Sequence, residues 1–254
     1  MSFFNLLDLS YFEFIFFIVV VLTASIVRGF SGFGFSAITI SSLSFIFPPI
    51  EIVPVILILE VAVSIFMIPV IIKNINWNFV FTFLVGISLG SPIGLYILRN
   101  SSETLSHFII ALLVSFFSFL IFKGYKNPKL NKNIYKFLTG IMSGIANGIG
   151  TLAGLPLALY LLLISAKSVS IRASLAALFC FTDSYAFTIS AFTGMVNQTV
   201  IYRAIPLIFI LPLGVYIGNN YFNKSNEKTY KNYVLKFLIL ISVVGIIKVL
   251  SDLT

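Results

Sequence analysis

The chain has 254 residues, of which 59% are hydrophobic and 9% charged, with a net charge of +8. A soluble domain carries about 25% charged residues, so the composition excludes a water-soluble globule and points to a helical protein of the lipid bilayer. One cysteine, Cys180, and one histidine, His107, exclude an intrachain disulfide, a thiolate metal cluster and a histidine-rich metal site, and no cofactor is expected.

The positive charge is not a nucleic-acid signal. It falls largely on lysines in two short loops, and no basic face carries aromatic stacking partners. The first apolar run, Phe12 to Val27, has no basic leader and no Ala-x-Ala cleavage site, so it reads as a retained helix. It runs into Arg28-Gly29-Phe30-Ser31-Gly32-Phe33-Gly34-Phe35-Ser36. Glycine orders a very free backbone at a cost to helix stability, so the spacing predicts a broken helix near 29–36. Apolar runs from Ile52 to Ile72, Phe79 to Leu98 and Leu105 to Phe122 follow, each close to the roughly 20 residues needed to span a bilayer. The longest polar connection, Lys123 to Lys136, divides the chain. Beyond it, Phe137 to Ser165 carries a second glycine-rich stretch, Gly144-Ile145-Ala146-Asn147-Gly148-Ile149-Gly150-Thr151, then Gly154 and Pro156, which predicts a second break near 144–156. Runs from Ala173 to Ala191, Ala204 to Tyr221 and Asn232 to Leu250 complete the chain.

The two parts share a plan, with residues 1–122 as a first repeat, 123–136 as a linker and 137–254 as a second repeat. Placing Gly32 on Gly148 and Gly34 on Gly150 uses an offset of 116 and puts Ser31 on Asn147 and Phe35 on Thr151. Lys123, Lys126, Lys129, Lys132 and Lys136 make the linker cytoplasmic, and Lys224, Lys228, Lys231 and Lys236 mark the next basic cluster. An even number of crossings between the clusters requires Phe137 to Ser165 to go out and come back. The expected fold is therefore all-α: a polytopic membrane protein of two inverted repeats, about 8–10 transmembrane segments, two glycine-broken hairpins, and both termini outside. The chain is placed in the plasma membrane, as a bacterial inner-membrane protein would be.

Paired breaks of this kind point to a transporter binding site. Unwound backbone is tolerated in a bilayer only where protein or water lines it, and half-helix N-termini attract anions. The expected partners are a small anion and the lipid bilayer, with no nucleic acid. The oligomeric state is left open, a homodimer being one option. Gly32, Gly34, Gly148, Gly150 and Pro156 would open the backbone, and Ser31, Ser36, Asn147 and Thr151 would add hydrogen bonds. The competing reading is that the glycines only let helices pack closely. Glu60 and Asp183 lie near the middle of their spans, where a charge costs roughly 2.5–3.5 kcal/mol on insertion scales. They read as ion-coupling groups, or else as acids that hold helices together. Arg28 and Arg172 offer planar forks for an oxyanion, or could snorkel to the surface. Pro92, Pro206 and Pro212 are candidate kinks, and Trp77 and Tyr96 candidate interfacial anchors.

At these residues the chain resembles the TauE/SafE sulfite exporter family. The resemblance lies in Arg28 to Phe35, in Gly144 to Gly154 with Leu155-Pro156-Leu157-Ala158-Leu159-Tyr160, and in Lys167 with Ile171-Arg172-Ala173-Ser174-Leu175. It departs from the family at Ser41 and Leu155, where prolines are usual. The resemblance implies a multi-pass plasma-membrane transporter built from two repeats, with cargoes that are mostly small sulfur-containing anions such as sulfite and organosulfonates. The leading reading is therefore an alternating-access transporter of a small anion, not an enzyme. Two rival readings stand. Gly29-Phe30-Ser31-Gly32 fits the Gly-x-Ser-Gly pattern of a rhomboid-type intramembrane protease, with His107 the only histidine to serve as base. The chain could also be a channel or a non-transporting membrane partner.

Overall fold

The computed structural model describes residues 6–123, 131–164, 167–226, 228–230, 232–233 and 236. Among them all regular structure is helical. The last apolar run, Asn232 to Leu250, and the middle of the linker lie almost wholly outside the described residues.

Ser10 opens α1 (Tyr11–Ser31) with a reciprocal cap: Glu13 N–H donates to Ser10 Oγ at 3.2 Å, and Ser10 N–H donates to Glu13 Oε2 at 2.7 Å. The helix stops at Gly32, whose φ of 85° only glycine adopts without strain, and Gly34 follows at φ 91°. α2 (Phe35–Leu43) then begins. Proline at its first position starts α3 (Pro49–Ile71), which continues into a short 3-10 turn, Ile72–Asn74. α4 (Trp77–Asn100) is capped by Asn76, whose side-chain oxygen accepts from Phe79 N–H at 3.1 Å. α5 (Glu103–Phe122) precedes the linker.

The second half opens with α6 (Asn133–Gly150), α7 (Gly154–Leu163) and α8 (Ser168–Phe192). α9 (Gln198–Ile208) and α10 (Leu211–Asn223) meet at a 48° bend. Pro212, in the first turn of α10, removes a helix hydrogen bond there and crowds the preceding turn, which accounts for the bend.

Among the described residues four helical stretches are long and apolar enough to cross a membrane: Tyr11–Ser31, Pro49–Asn74, Trp77–Asn100 and Ser168–Phe192. The bent α9–α10 pair makes five. α2 and α7 are half-helices. α2 has nine residues and α7 ten, so each reaches only about 14–15 Å at 1.5 Å per residue, half of a bilayer core.

Two strips of small residues bring helices into backbone contact. Gly86, Gly90 and Gly94 on α4 face Gly140, Gly144 and Gly148 on α6. A methyl on Gly86 would sit 2.7 Å from the Phe137 carbonyl, and one on Gly144 would sit 2.9 Å from Gly90 Cα. On α1 and α10, Ser25 and Gly29 face Gly214 and Gly218, and a methyl on Gly29 would lie 2.8 Å from the Val215 carbonyl. These are small-xxx-small surfaces, the usual means of close helix approach in lipid. Packing thus explains Gly148, while Gly32 and Gly34 are required by their φ values. Trp77 and Tyr96 are exposed at the surface, as interfacial anchors would be.

Candidate functional site

Arg28, in the last turn of α1, is fully buried. Its Nη1 donates to the Gly32 carbonyl at 2.6 Å and its Nη2 to Ser64 Oγ at 2.9 Å. Nη2 also lies 3.3 Å from Glu60 Oε2, and the guanidinium stacks 4.5 Å from the Phe179 ring centroid. Glu60 and Ser64 are one turn apart on α3 and so share a face. Glu60 in turn accepts through Oε1 from the Ser36 N–H at 3.2 Å and from the Ser36 hydroxyl. The arginine, the acid and the first break are thus one buried assembly. Neither Arg28 nor Arg172 snorkels; both are buried within the helices.

The second break is built differently. α6 ends at Thr151, which takes the left-handed conformation (φ 57°) although it is β-branched, a strained choice. Thr151 N–H donates to the Asn147 carbonyl at 2.7 Å and Leu152 N–H to the Ala146 carbonyl at 3.0 Å, which closes the helix end. The Asn147 side chain donates through Nδ2 to Asp183 Oδ1 at 3.0 Å, while its own Oδ1 is buried without a partner. Asp183 lies on α8 one turn beyond Phe179, within electrostatic reach of Arg28 and Glu60.

The two breaks line one cavity. Gly34, Ser36 and Ala37 come from the first, and Thr151, Leu152, Gly154 and Leu155 from the second; Glu60 and Phe179 complete the wall. About 10 Å³ of it is open to the centre of a water molecule, which is room for about one water. The N-terminal turns of both α2 and α7 reach this space.

Other singled-out residues lie elsewhere. Gly32 abuts α8: a methyl on it would meet the Arg172 backbone carbonyl at 2.7 Å. Ser31 Oγ sits 2.8 Å from the Val27 carbonyl and 2.5 Å from that of Phe33, and the Ser31 carbonyl accepts from the Tyr230 hydroxyl at 2.8 Å. Arg172 donates through Nε to the Gly29 carbonyl at 2.8 Å and through Nη2 to Asn219 Oδ1 at 2.9 Å, with its guanidinium 4.5 Å from the Phe222 ring centroid. It ties α8 to α1 and α10 outside the cavity wall. Gly150 packs toward Ile110, and Pro156 belongs to an apolar cleft with Phe117, Met142 and Tyr160.

Several contributors carry no sequence signal of their own. Phe179 and Ser64 are ordinary residues of apolar helices, found only through their contact with Arg28. Arg203 on α9 is a further buried cation. It pairs with Glu51 at 3.2 Å, donates to the Leu7 carbonyl at 2.9 Å and borders an open polar hollow of about 440 Å³ with Asp8, Glu13 and Glu51. Its partners lie far away in sequence, so no local pattern marks it.

Long apolar helices, half-helices and buried acids define an all-helical, multi-pass membrane protein. The family model described as Sulfite exporter TauE/SafE matches residues 16–245. The chain therefore belongs to the TauE/SafE sulfite exporter family, a family of membrane transporters. No curated protein and no solved structure matches it significantly.

Proposed function

We propose that this chain is a secondary transporter that moves a small sulfur-containing oxyanion, of the sulfite or organosulfonate type, across the plasma membrane by alternating access. The observation that carries the reading is that both helix breaks line a single buried cavity together with Glu60. Two half-helix N-termini directed at one space are an anion site in the making. Gly34, Ser36 and Thr151 stand at the cavity. Arg28 reaches it through Glu60, and Asn147 through Asp183. Ser31, Gly32, Gly148, Gly150 and Pro156 shape the backbone around it, and Arg172 adds positive charge on the path. Glu60 and Asp183 are the acids that couple protons or cations to the cycle.

An internal duplication supports alternating access. Three boundaries repeat at one spacing: the helix ends Ser31 and Gly150, and the helix starts Phe35 and Gly154, Pro49 and Ser168, are each 119 positions apart. The glycine-matched offset of 116 is three residues short of this, because it sets the cap residue Gly32 on the packing residue Gly148 instead of the cap residue Thr151. At 119, Arg28 falls on Asn147 and Ser64 on Asp183, so the Arg28–Ser64 bond is the counterpart of the Asn147–Asp183 bond. Contacts exchange in the same way. α4 lies on α6 as α10 lies on α1, while α3 meets α8 and α2 meets α7. With the lysine-rich linker 123–136 inside, repeats 1–122 and 137–254 then run in opposite senses, each with its broken hairpin.

The protease reading finds no support: the Ser31 hydroxyl is engaged by main-chain carbonyls, not by a histidine. Counterflow in proteoliposomes tests the proposal against the channel reading. Vesicles loaded with unlabelled sulfite should transiently accumulate labelled sulfite above equilibrium. Simple equilibration without overshoot would indicate a channel, and no flux of any sulfur oxyanion would end the proposal.

A further inference from the structure

Glu60 sits where a bound anion would sit. The first turn of α2 offers the cavity main-chain N–H groups and the positive end of a helix dipole. A carboxylate already occupies that end: Glu60 Oε1 accepts from both the N–H, at 3.2 Å, and the hydroxyl of Ser36. The other oxygen, Oε2, is buried without a hydrogen bond and faces Arg28 Nη2 at 3.3 Å. The helix end, the hydroxyl and the guanidinium that suit a small oxyanion are therefore all engaged by the protein's own side chain. The remaining space, room for about one water, cannot admit a four-atom oxyanion beside it.

We propose that Glu60 is a tethered competitor for the transported oxyanion: its carboxylate holds the α2 N-terminus in the empty carrier and leaves it when an anion binds. This rests on the transporter reading above. The exchange keeps one negative group on the helix end throughout, so neither the end nor Arg28 is left without an anion. It also limits repulsion. Among the described residues, Arg28 on α1 and Asp183 on α8, with the Cys180 thiol beside them, are the titratable groups around Glu60, while α2 presents Ser36. Arg28 cannot balance both the Glu60 carboxylate and a cargo anion in the same small volume, so the displaced carboxylate must move away.

The test is calorimetric titration of the purified full chain with sodium sulfite. If the carboxylate holds the helix end about nine-tenths of the time, Glu60→Gln binds sulfite about tenfold more tightly than the wild type. In Glu60→Ala, acetate should fill the vacated place and compete with sulfite, as it should not in the wild type. Infrared difference spectra on the wild type, which needs no variant to fold, should show a carboxylate band shift on sulfite addition. Equal or weaker sulfite binding by folded Glu60→Gln, or no carboxylate shift in wild type that does bind sulfite, overturns the competitor role and leaves the transporter reading standing. Sulfite binding by no form of the protein overturns both.

Discussion

Arg28 Nη2 lies 3.3 Å from Glu60 Oε2, and both side chains are buried between α1, α2 and α3. Removing one partner of such a pair strands the other. Arg28→Met is therefore expected to destabilise the protein by about 3–5 kcal/mol, read as a fall in the thermal midpoint in detergent. The double variant Arg28→Met, Glu60→Leu should recover most of that loss, because no uncompensated charge remains. A single variant as stable as the wild type would show that the pair is not a structural hold.

Asn147 donates to Asp183 at 3.0 Å in the second half of the chain. Asn147→Ala leaves a buried carboxylate short of its donor, which costs about 1–3 kcal/mol. Asp183→Asn retains a hydrogen-bonding group and removes the charge, so it should be milder for stability and severe for transport. Thermal unfolding alongside sulfite flux per folded molecule separates the two effects. Equal stability losses in both variants would contradict the argument.

Gly90 and Gly194 predict opposite sensitivities for the same substitution. A methyl on Gly90 would lie 2.8 Å from the Ile145 main-chain nitrogen and 3.0 Å from Gly144 Cα, whereas nothing stands within 4 Å of Gly194. Gly90→Ala should cost about 1–3 kcal/mol through forced separation of α4 and α6. Gly194→Ala should cost about 1 kcal/mol through its positive φ alone. Size-exclusion profiles after mild heating should rank them in that order, with Gly90→Ala the first to aggregate.

Thr151 holds a left-handed conformation that glycine adopts freely. Thr151→Gly should raise the thermal midpoint, by relief of about 1 kcal/mol of local strain, while reducing sulfite flux through loss of a hydroxyl at the cavity. A lower midpoint would mean that the threonine side chain contributes more to packing than its backbone costs.

Arg172 ties the Gly29 carbonyl, Asn219 and the Phe222 ring together. Arg172→Ala should lower stability by about 1–3 kcal/mol, and Arg172→Lys should restore little, because an ammonium cannot reproduce the fork and the stack. Flux normalised to folded protein decides its part in transport. An unchanged value takes Arg172 off the anion path.

Much of the frame could be read before any coordinates. The stop at Gly32 and Gly34 follows from backbone freedom, and the buried positions of Glu60 and Asp183 follow from their place in the middle of apolar runs. The second break was also legible, yet its cap was not. Thr151 does the work that glycine does at position 32, and no propensity rule assigns a β-branched residue to that task. The register of 119 proposed above differs from the glycine-matched 116 for the same reason, since matching glycines to glycines mixes residues kept small for packing with one kept flexible for a turn. The side-chain partners of Arg28 and Arg172 were hidden because they are set by which helices meet across more than thirty positions of sequence, where periodicity carries no information. Nothing local in the sequence reveals that Leu7, Asp8 and Glu51 converge on Arg203.

The smooth strips have a mechanical corollary. Each joins a helix from before the linker to one from after it, α4 to α6 and α1 to α10, with main chain resting on main chain. Pairs so fitted resist separation. Under the proposed alternating-access cycle, the moving parts would therefore be two cross-laced units and not the two sequence halves, and cutting the gene in the middle should yield fragments that work only when produced together.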